Sequence, residues 1–241
     1  LYFATSNIHH PFTPAKRFQG TSQAGRYGDF IHELDWIVGQ VMNMLDEAKV
    51  ADNTLLIFTS DNGGHEGFTD NGPLRGGKGM LFEGGVRVPF IAWGAGTGSP
   101  DRIQDVPIQL SDLVPTMLEM SSVPAPEKTP LQGVSISGLL SGTSAEPVRD
   151  LVWHFPAYLQ GYTRAHGTWR TTPVTSIVRG PWKLLEFHED QSRMLFHLGQ
   201  DPSEQNDVAS SRPDLVSDLA SSIERWRKVR NAPMPVPITQ P

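Results

Sequence analysis

Thr54-Leu55-Leu56-Ile57-Phe58-Thr59 runs straight into Ser60-Asp61-Asn62-Gly63-Gly64. A continuous apolar, β-prone run without alternation suits a strand covered on both faces, the habit of parallel sheets. The polar, glycine-closed segment after it then lies beyond the carboxyl end of that strand, where α/β sheets hold their ligands. Upstream, from Ala24 to Lys49, Ile31, Leu34, Val38, Val41 and Leu45 fall at helical spacing, flanked by Ile37 and Met44. That pattern predicts a long amphipathic helix. Leu1 to Thr5 reads as a further strand, ending in the loop Ser6-Asn7-Ile8-His9-His10-Pro11. Downstream, Val88 to Trp93 predicts another core strand, Gly94 to Pro100 a turn-rich break, and Ile108 to Met120 a helix with Pro115 in its first turn or at a kink. Strands alternating with helices indicate an α/β layer fold.

The texture changes after Ser121. Pro124, Pro126 and Pro130 mark a linker-like stretch, and four short β-type runs follow at 151–155, 175–179, 182–187 and 194–198. Gly180-Pro181 and 188–192 read as hairpin connections. Leu215, Leu219, Ile223 and Trp226 share one side of a last helix over 213–230, before an extended proline-bearing tail, 231–241. The expected organisation is therefore an α/β part over 1–145 and a small α+β subdomain, an antiparallel sheet with a packed helix, over 146–241.

Composition bounds the function. The chain has 241 residues, 38% apolar and 19% charged, which is globular and excludes wholesale disorder. A net charge of −6 argues against a nucleic-acid binder. With no cysteine there is no disulfide, zinc–thiolate site or thiol nucleophile. No apolar run reaches the ~20 residues of a membrane span. Leu1-Tyr2-Phe3-Ala4 carries neither an initiator Met nor a basic leader, and the chain is expected to be a fragment of a longer protein.

Three short features carry candidate chemistry. Asp61-Asn62 offers a carboxylate beside an amide oxygen, hard donors suited to Ca²⁺ or Mg²⁺; an ordinary Asx turn is the alternative. Gly76-Gly77-Lys78-Gly79 lets a lysine project its ammonium onto an anion; the alternative is a solvated loop. It is not a phosphate-binding P-loop, because Gly79 follows Lys78 where Ser or Thr is required. His9-His10-Pro11 places histidines at a strand end, as a general acid, metal ligand or anion contact, or merely solvated. A fourth stretch, from Trp153 through His154, Tyr158, Tyr162, Arg164, His166 and Trp169 to Arg170, is dense in aromatic and basic groups. Aromatic faces stack on sugars and arginines pair with sulfates or carboxylates, which makes His154, Arg164 and Arg170 candidate substrate contacts; core filling and solvated cations are the alternative. Glu33, Asp46 and Glu47 read as a solvated face, Asp35 as a structural hydrogen-bonder, and Arg87 as a buried, paired cation.

In order along the chain these elements form a pattern. His9-His10-Pro11-Phe12, the helix carrying Asp35 and Val38-Gly39, Thr59-Ser60-Asp61-Asn62-Gly63, the long run Asn71-Gly72-Pro73-Leu74-Arg75-Gly76-Gly77-Lys78-Gly79 leading to Glu83-Gly84-Gly85-Val86-Arg87-Val88-Pro89, Asp112-Leu113-Val114-Pro115-Thr116, and Ile177-Val178-Arg179-Gly180 with Trp182-Lys183-Leu184 and Asp201-Pro202-Ser203-Glu204 all match. The chain resembles the C-terminal half of the type I sulfatases, the arylsulfatase family of the alkaline phosphatase superfamily. That resemblance implies an alkaline-phosphatase-like α/β sandwich with a mostly parallel sheet, and hydrolysis of the sulfate ester of a saccharide or aryl sulfate. It also implies a formylglycine nucleophile and a Ca²⁺ ion, with Mg²⁺ the substitute. By match, Asp61 and Asn62 are metal ligands, Lys78 binds the sulfate, and His9 is the leaving-group acid with His10 the alternative. A periplasmic, secreted or lysosome-like location is implied as well.

The family's C/S-x-P-x-R nucleophile motif does not occur; its nearest lookalike, Ala145-Glu146-Pro147-Val148-Arg149, has Ala at the decisive position. The nucleophile is therefore expected in an N-terminal half, and the chain by itself is expected to be catalytically incompetent. Two rival readings are a phosphomonoesterase or phosphonate hydrolase of the same superfamily, and a non-catalytic calcium- or glycan-binding remnant.

Overall fold

The computed structural model describes residues 1–99, 101–143 and 149–236. The expected domain boundary at 145/146, the Ala145–Val148 part of the motif lookalike, Pro100 and the end of the expected tail lie outside them. Two compact units are present: Leu1–Ile57 with Ala92–Thr97, and Phe58–Ile91 with Gly98–Pro241.

The first unit is built on α1 (Gly25–Glu47), the helix that the apolar spacing predicts. Its start is fixed by Asp29, whose carboxylate accepts the amides of Gly20 and Ser22, both at 2.8 Å. Those two hydrogen bonds hold the Asp29 carboxyl below its ordinary range. Gly28 is required beside it, because a Cβ there would stand 1.9 Å from Ser22 Oγ. Asp29 is thus the aspartate that ties the helix down, whereas Asp35, expected to make a structural hydrogen bond, is exposed. Only Gly28, Asp29 and Phe30 of α1 are buried.

β1 (Leu55–Thr59) forms where expected and pairs with β2 (Phe90–Gly94) in a two-stranded sheet. Every β1 residue is only half-buried, not covered on both faces. Among the described residues β2 is its one strand neighbour, and no further strand encloses it. Leu1–Thr5 forms no strand, and Leu1 and Tyr2 are exposed. An extended run becomes a strand only when a partner accepts its backbone groups.

The second unit contains α2 (Glu83–Val86), α3 (Leu113–Met120), α4 (Ser137–Ser141) and the terminal antiparallel sheet. Pro115 sits in the first turn of α3, where its missing N–H costs nothing. Just before α3, the buried Asp112 accepts the amides of Gln109 and Val134 and pairs with Arg149, whose Nη1 lies 2.7 Å away.

The sheet comprises β3 (Leu151–Phe155), β6 (Val174–Arg179), β7 (Trp182–Phe187) and β8 (Arg193–His197), in the order β3-β6-β7-β8. A short hairpin, β4 (Leu159–Gln160) with β5 (Trp169–Thr171), interrupts it between β3 and β6. Every pairing in the four-stranded sheet is antiparallel, with Ile177 opposite Leu184 and Leu184 opposite Leu195. Those three residues pack against Leu219, Ala220 and Ile223 of α5 (Pro213–Arg230). Because strand side chains alternate, Val174, Leu185 and Phe196 point to the other face, where Leu81 and Phe82 cover them. The small antiparallel subdomain with a packed helix thus forms as expected, and its second face is closed by the segment that follows Lys78.

Candidate active-site loop

The loop from Ser60 to Arg87 is a knot of backbone hydrogen bonds tied around glycines. Asp61 and Asn62 leave β1, and Asn62 Nδ2 donates to Asp61 Oδ1 at 3.1 Å. Gly63 N then donates to Gly85 O at 2.9 Å, and Gly84 N to Arg75 O at 2.8 Å. Gly64 O accepts the amide of Lys78 at 2.9 Å, so Lys78 is anchored two residues past Asn62 and three past Asp61. Asn71 closes the knot: its Oδ1 accepts from Gly64 N at 3.0 Å, and its Nδ2 donates to Gly64 O and Gly76 O. A Cβ on Gly77 would stand 2.5 Å from Gly64 O, and one on Gly63 1.8 Å from Gly84 O. These glycines are therefore needed for close approach of backbone to backbone.

A buried ion cluster pins this knot to the sheet. Lys183 lies on the same face of β7 as Leu185, the face that Leu81 and Phe82 cover, and it is fully buried. Its Nζ is 2.8 Å from Glu83 Oε1 and 2.9 Å from Glu204 Oε1, the second contact an ion pair without hydrogen-bond alignment. Glu83 N donates to Glu204 Oε2 at 2.6 Å, and Arg75 Nη1 donates to Glu204 O at 3.0 Å. Burial pushes the Glu204 carboxyl up, against the pull of Lys183. Lys183, not Arg87, is thus the buried, paired cation. Arg87 has a side chain 54% exposed and reaches Glu83 only at 3.9 Å.

The β4–β5 hairpin adds an aromatic wall. Tyr162 stacks on His65 with centroids 3.8 Å apart and meets His166 edge-on at 4.8 Å. His166 Nε2 is 2.8 Å from Glu66 Oε2, and the Tyr162 hydroxyl donates to the same oxygen at 3.5 Å. The Arg170 guanidinium lies over the Tyr162 ring, 4.5 Å from its centroid. Burial, with the Arg170 and Lys78 cations, pushes the His65 imidazole below its ordinary value. Burial raises the Tyr162 hydroxyl.

Asp61, Asn62, Lys78 and Arg170 thus belong to the second unit, together with His65, Glu66 and Tyr162. Arg164 is exposed in the turn leading to His166. His154 also lies in this unit, but on the α5 face of the sheet, opposite Thr175. Its Nε2 donates to Pro233 O at 2.7 Å and its Nδ1 meets Thr175 Oγ1 at 2.7 Å, while that hydroxyl also meets His188 Nε2 at 2.8 Å. Both ring nitrogens of His154 are engaged inside the fold, which makes it a structural histidine. His9 and His10 belong to the first unit. Both are exposed; His9 Nδ1 meets His10 O at 2.7 Å, and the His10 ring packs edge-on against Phe12 at 5.3 Å.

Asp61 and Asn62 contribute two hard oxygen donors on adjacent residues. Among the described residues no group of three or more His, Cys, Asp or Glu side chains gathers as a metal site. The pair therefore fits part of a Ca²⁺ shell, not a whole one. Glu83, Lys183 and Glu204 each stand inside a matched motif, but no motif predicts that they meet; the available signals are one lysine inside an apolar strand and one glutamate before a Gly-Gly pair.

Comparison with known proteins follows the same span. The family described as Sulfatase matches residues 1–123, and the family described as N-sulphoglucosamine sulphohydrolase, C-terminal, matches residues 76–229. An N-acetylgalactosamine-6-O-sulfatase of Bacteroides thetaiotaomicron is 32% identical over 93% of this chain and 46% of its own length. The human arylsulfatase D is 30% identical over 91% of this chain and 38% of its own. A solved structure from work on the metabolism of multiple glycosaminoglycans by Bacteroides thetaiotaomicron superposes with a TM-score of 0.77 at 29% identity, covering 93% of this chain and 49% of that one. The phosphonate monoester hydrolase of Agrobacterium radiobacter shares the fold, with a TM-score of 0.63 at 24% identity, covering 84% of this chain and 40% of that one. The chain spans about half the length, or less, of the curated relatives it matches. Among the described residues no helix is long and apolar enough to cross a membrane.

Proposed function

The chain belongs to the sulfatase family, and from that premise we propose that it forms the sulfate-binding and leaving-group side of a sulfuric ester hydrolase acting on a sulfated saccharide. One observation carries the reading: Asp61-Asn62 and Lys78 are tied to the same glycine knot, with hard oxygen donors and an ammonium anchored through Gly64. A sulfate ester needs its oxygens neutralised and its leaving alkoxide protonated. Lys78 supplies the fixed positive charge, and among the described residues no carboxylate pairs with it. His9 is assigned as the acid that delivers the proton to the departing oxygen.

Asp61 and Asn62 would hold a Ca²⁺ ion, with Mg²⁺ the substitute, and the ion would supply further positive charge against the sulfate oxygens. The remaining ligands and the formylglycine nucleophile are assigned to an N-terminal half of the same protein. The C/S-x-P-x-R motif is absent from this sequence, and the relatives are about twice as long. A saccharide is favoured over a bare aryl sulfate by the aromatic wall of Tyr162 and His65 beside the Lys78 loop. A periplasmic, secreted or lysosome-like location accompanies this reading.

The test is sulfate release from N-acetylgalactosamine 6-sulfate by the complete protein, beside phosphate or phosphonate release from matched esters. Preference for the sulfate ester, one Ca²⁺ per chain, and loss of turnover in Lys78→Ala and Asp61→Ala support the reading. Preference for phosphonate esters with two transition-metal ions would replace it by the rival hydrolase. Saccharide binding without any turnover would replace it by the non-catalytic remnant.

A further inference from the structure

Arg170 is a cation without a counter-ion. Among the described residues no carboxylate lies within ion-pair distance of it. Nη1 donates to Gln160 O at 2.8 Å, and Nε is buried with no hydrogen-bond partner. Holding a half-buried guanidinium unpaired is costly unless an anion completes it. The nearby carboxylate does not serve: Glu66 is taken up by His166 and by the Tyr162 hydroxyl.

The placement of Arg170 is deliberate in structural terms. Thr171 Oγ1 donates to Gly79 O at 2.5 Å, which docks β5 on the residue after Lys78. A Cβ on Gly79 would stand 2.7 Å from Leu159 Cδ1 and 3.0 Å from Arg170 Nε, so only glycine lets the hairpin come this close. Lys78, one residue away, is likewise without a carboxylate partner among the described residues. Both positive charges reach His65, whose ring stacks on Tyr162, the ring that Arg170 also lies over.

We propose that Arg170, with Tyr162, forms a second anion subsite beside the Lys78 sulfate site, and that it selects saccharides carrying another sulfate or carboxylate besides the ester that is cleaved. The reading rests on the sulfatase function proposed above and narrows it to polyanionic sugars. The planar guanidinium pairs with the second anion, and the Tyr162–His65 wall lies beside the ring that carries it.

The experiment uses the complete protein with N-acetylgalactosamine 6-sulfate and N-acetylgalactosamine 4,6-disulfate as probes. The wild type is expected to show a higher kcat/KM for the disulfate, a preference that shrinks as salt is added. In Arg170→Gln the disulfate's kcat/KM should fall about tenfold further than the monosulfate's, mainly through KM, the size expected for one charged hydrogen-bonding partner. Arg170→Lys, which keeps the charge but not the fork, should recover part of the preference. The subsite is overturned if the wild type shows no preference for the disulfate, or if Arg170→Gln lowers both substrates by the same factor, the mark of a purely structural role. Sulfate release from neither compound overturns the sulfatase reading itself, and the subsite with it. If Arg170→Gln does not fold, the wild-type preference and its salt dependence still decide.

Discussion

The terminal sheet with α5 and the leading region around α1 and β1 are both strand-and-helix structures, yet they are finished to different degrees. In the sheet, Ile177, Leu184, Leu195, Leu219 and Ile223 are all sealed from solvent. In the leading region α1 buries three residues, β1 none, and Ile31, Trp36, Met44 and Val50 remain exposed. The difference is one of partners. The sheet finds everything it needs within this chain, α5 on one face and Leu81-Phe82 on the other. The α1 stripe and β1 carry core-type sequence that the described residues leave only partly covered.

That contrast can be broken by measurement. The largest effect is expected from Lys183→Met, which leaves Glu83 and Glu204 buried together without their cation. The loss should be about 3–5 kcal/mol in chemical denaturation, as when one partner of a buried ion cluster is removed. A cost below about 1 kcal/mol would mean that the knot and the sheet are not coupled through Lys183.

Leu184→Ala, in the sealed layer, should cost about 2–5 kcal/mol. A near-neutral result would show that the sheet is no better packed than the leading region.

The two regions should also respond to pH with opposite signs. Asp29 has its carboxyl lowered by the Gly20 and Ser22 amides. Its contribution is present above the ordinary aspartate range and is lost as pH falls through the lowered value. Hydrogen-exchange protection of Gly20 and Ser22 should therefore drop on acidification, and Asp29→Asn should remove that dependence. Glu204 has its carboxyl raised by burial. Its contribution is complete below the ordinary glutamate range and is lost as pH rises through the raised value. The denaturation midpoint of the terminal sheet should decline on that rise, and Glu204→Gln should flatten the curve.

The smallest effect is expected at Met44, which is 67% exposed on α1. Met44→Ala in this chain should change stability by no more than about 0.5 kcal/mol. A loss matching that of Leu184→Ala would show that the leading region is sealed after all.

Local physics made most of the elements legible. Five apolar residues at helical spacing give α1, and Pro213 to Arg230 give α5 at the expected limits. β3 and β7 likewise form over 151–155 and 182–187, because each strand's own composition suffices to define it. The Asp61-Asn62 pair and Lys78 were visible as motifs because glycine leaves a mark wherever backbone must approach backbone. The short β4–β5 hairpin was not visible, since two- and three-residue strands carry no periodicity.

What the sequence determined by itself was therefore the order of elements, the family resemblance and the residues offered to the chemistry. Only the tertiary structure decided which charges are used inside the fold and which are left unpaired. Strand pairing set the face on which each side chain stands. His154, in register with Thr175, was turned toward α5 and consumed there, while Lys183 was turned toward Glu83. Arg170, docked on Gly79, was left without a carboxylate among the described residues. A charge acquires its role from the neighbours that burial brings to it, and those neighbours lie 21 residues away for His154 and 100 for Lys183.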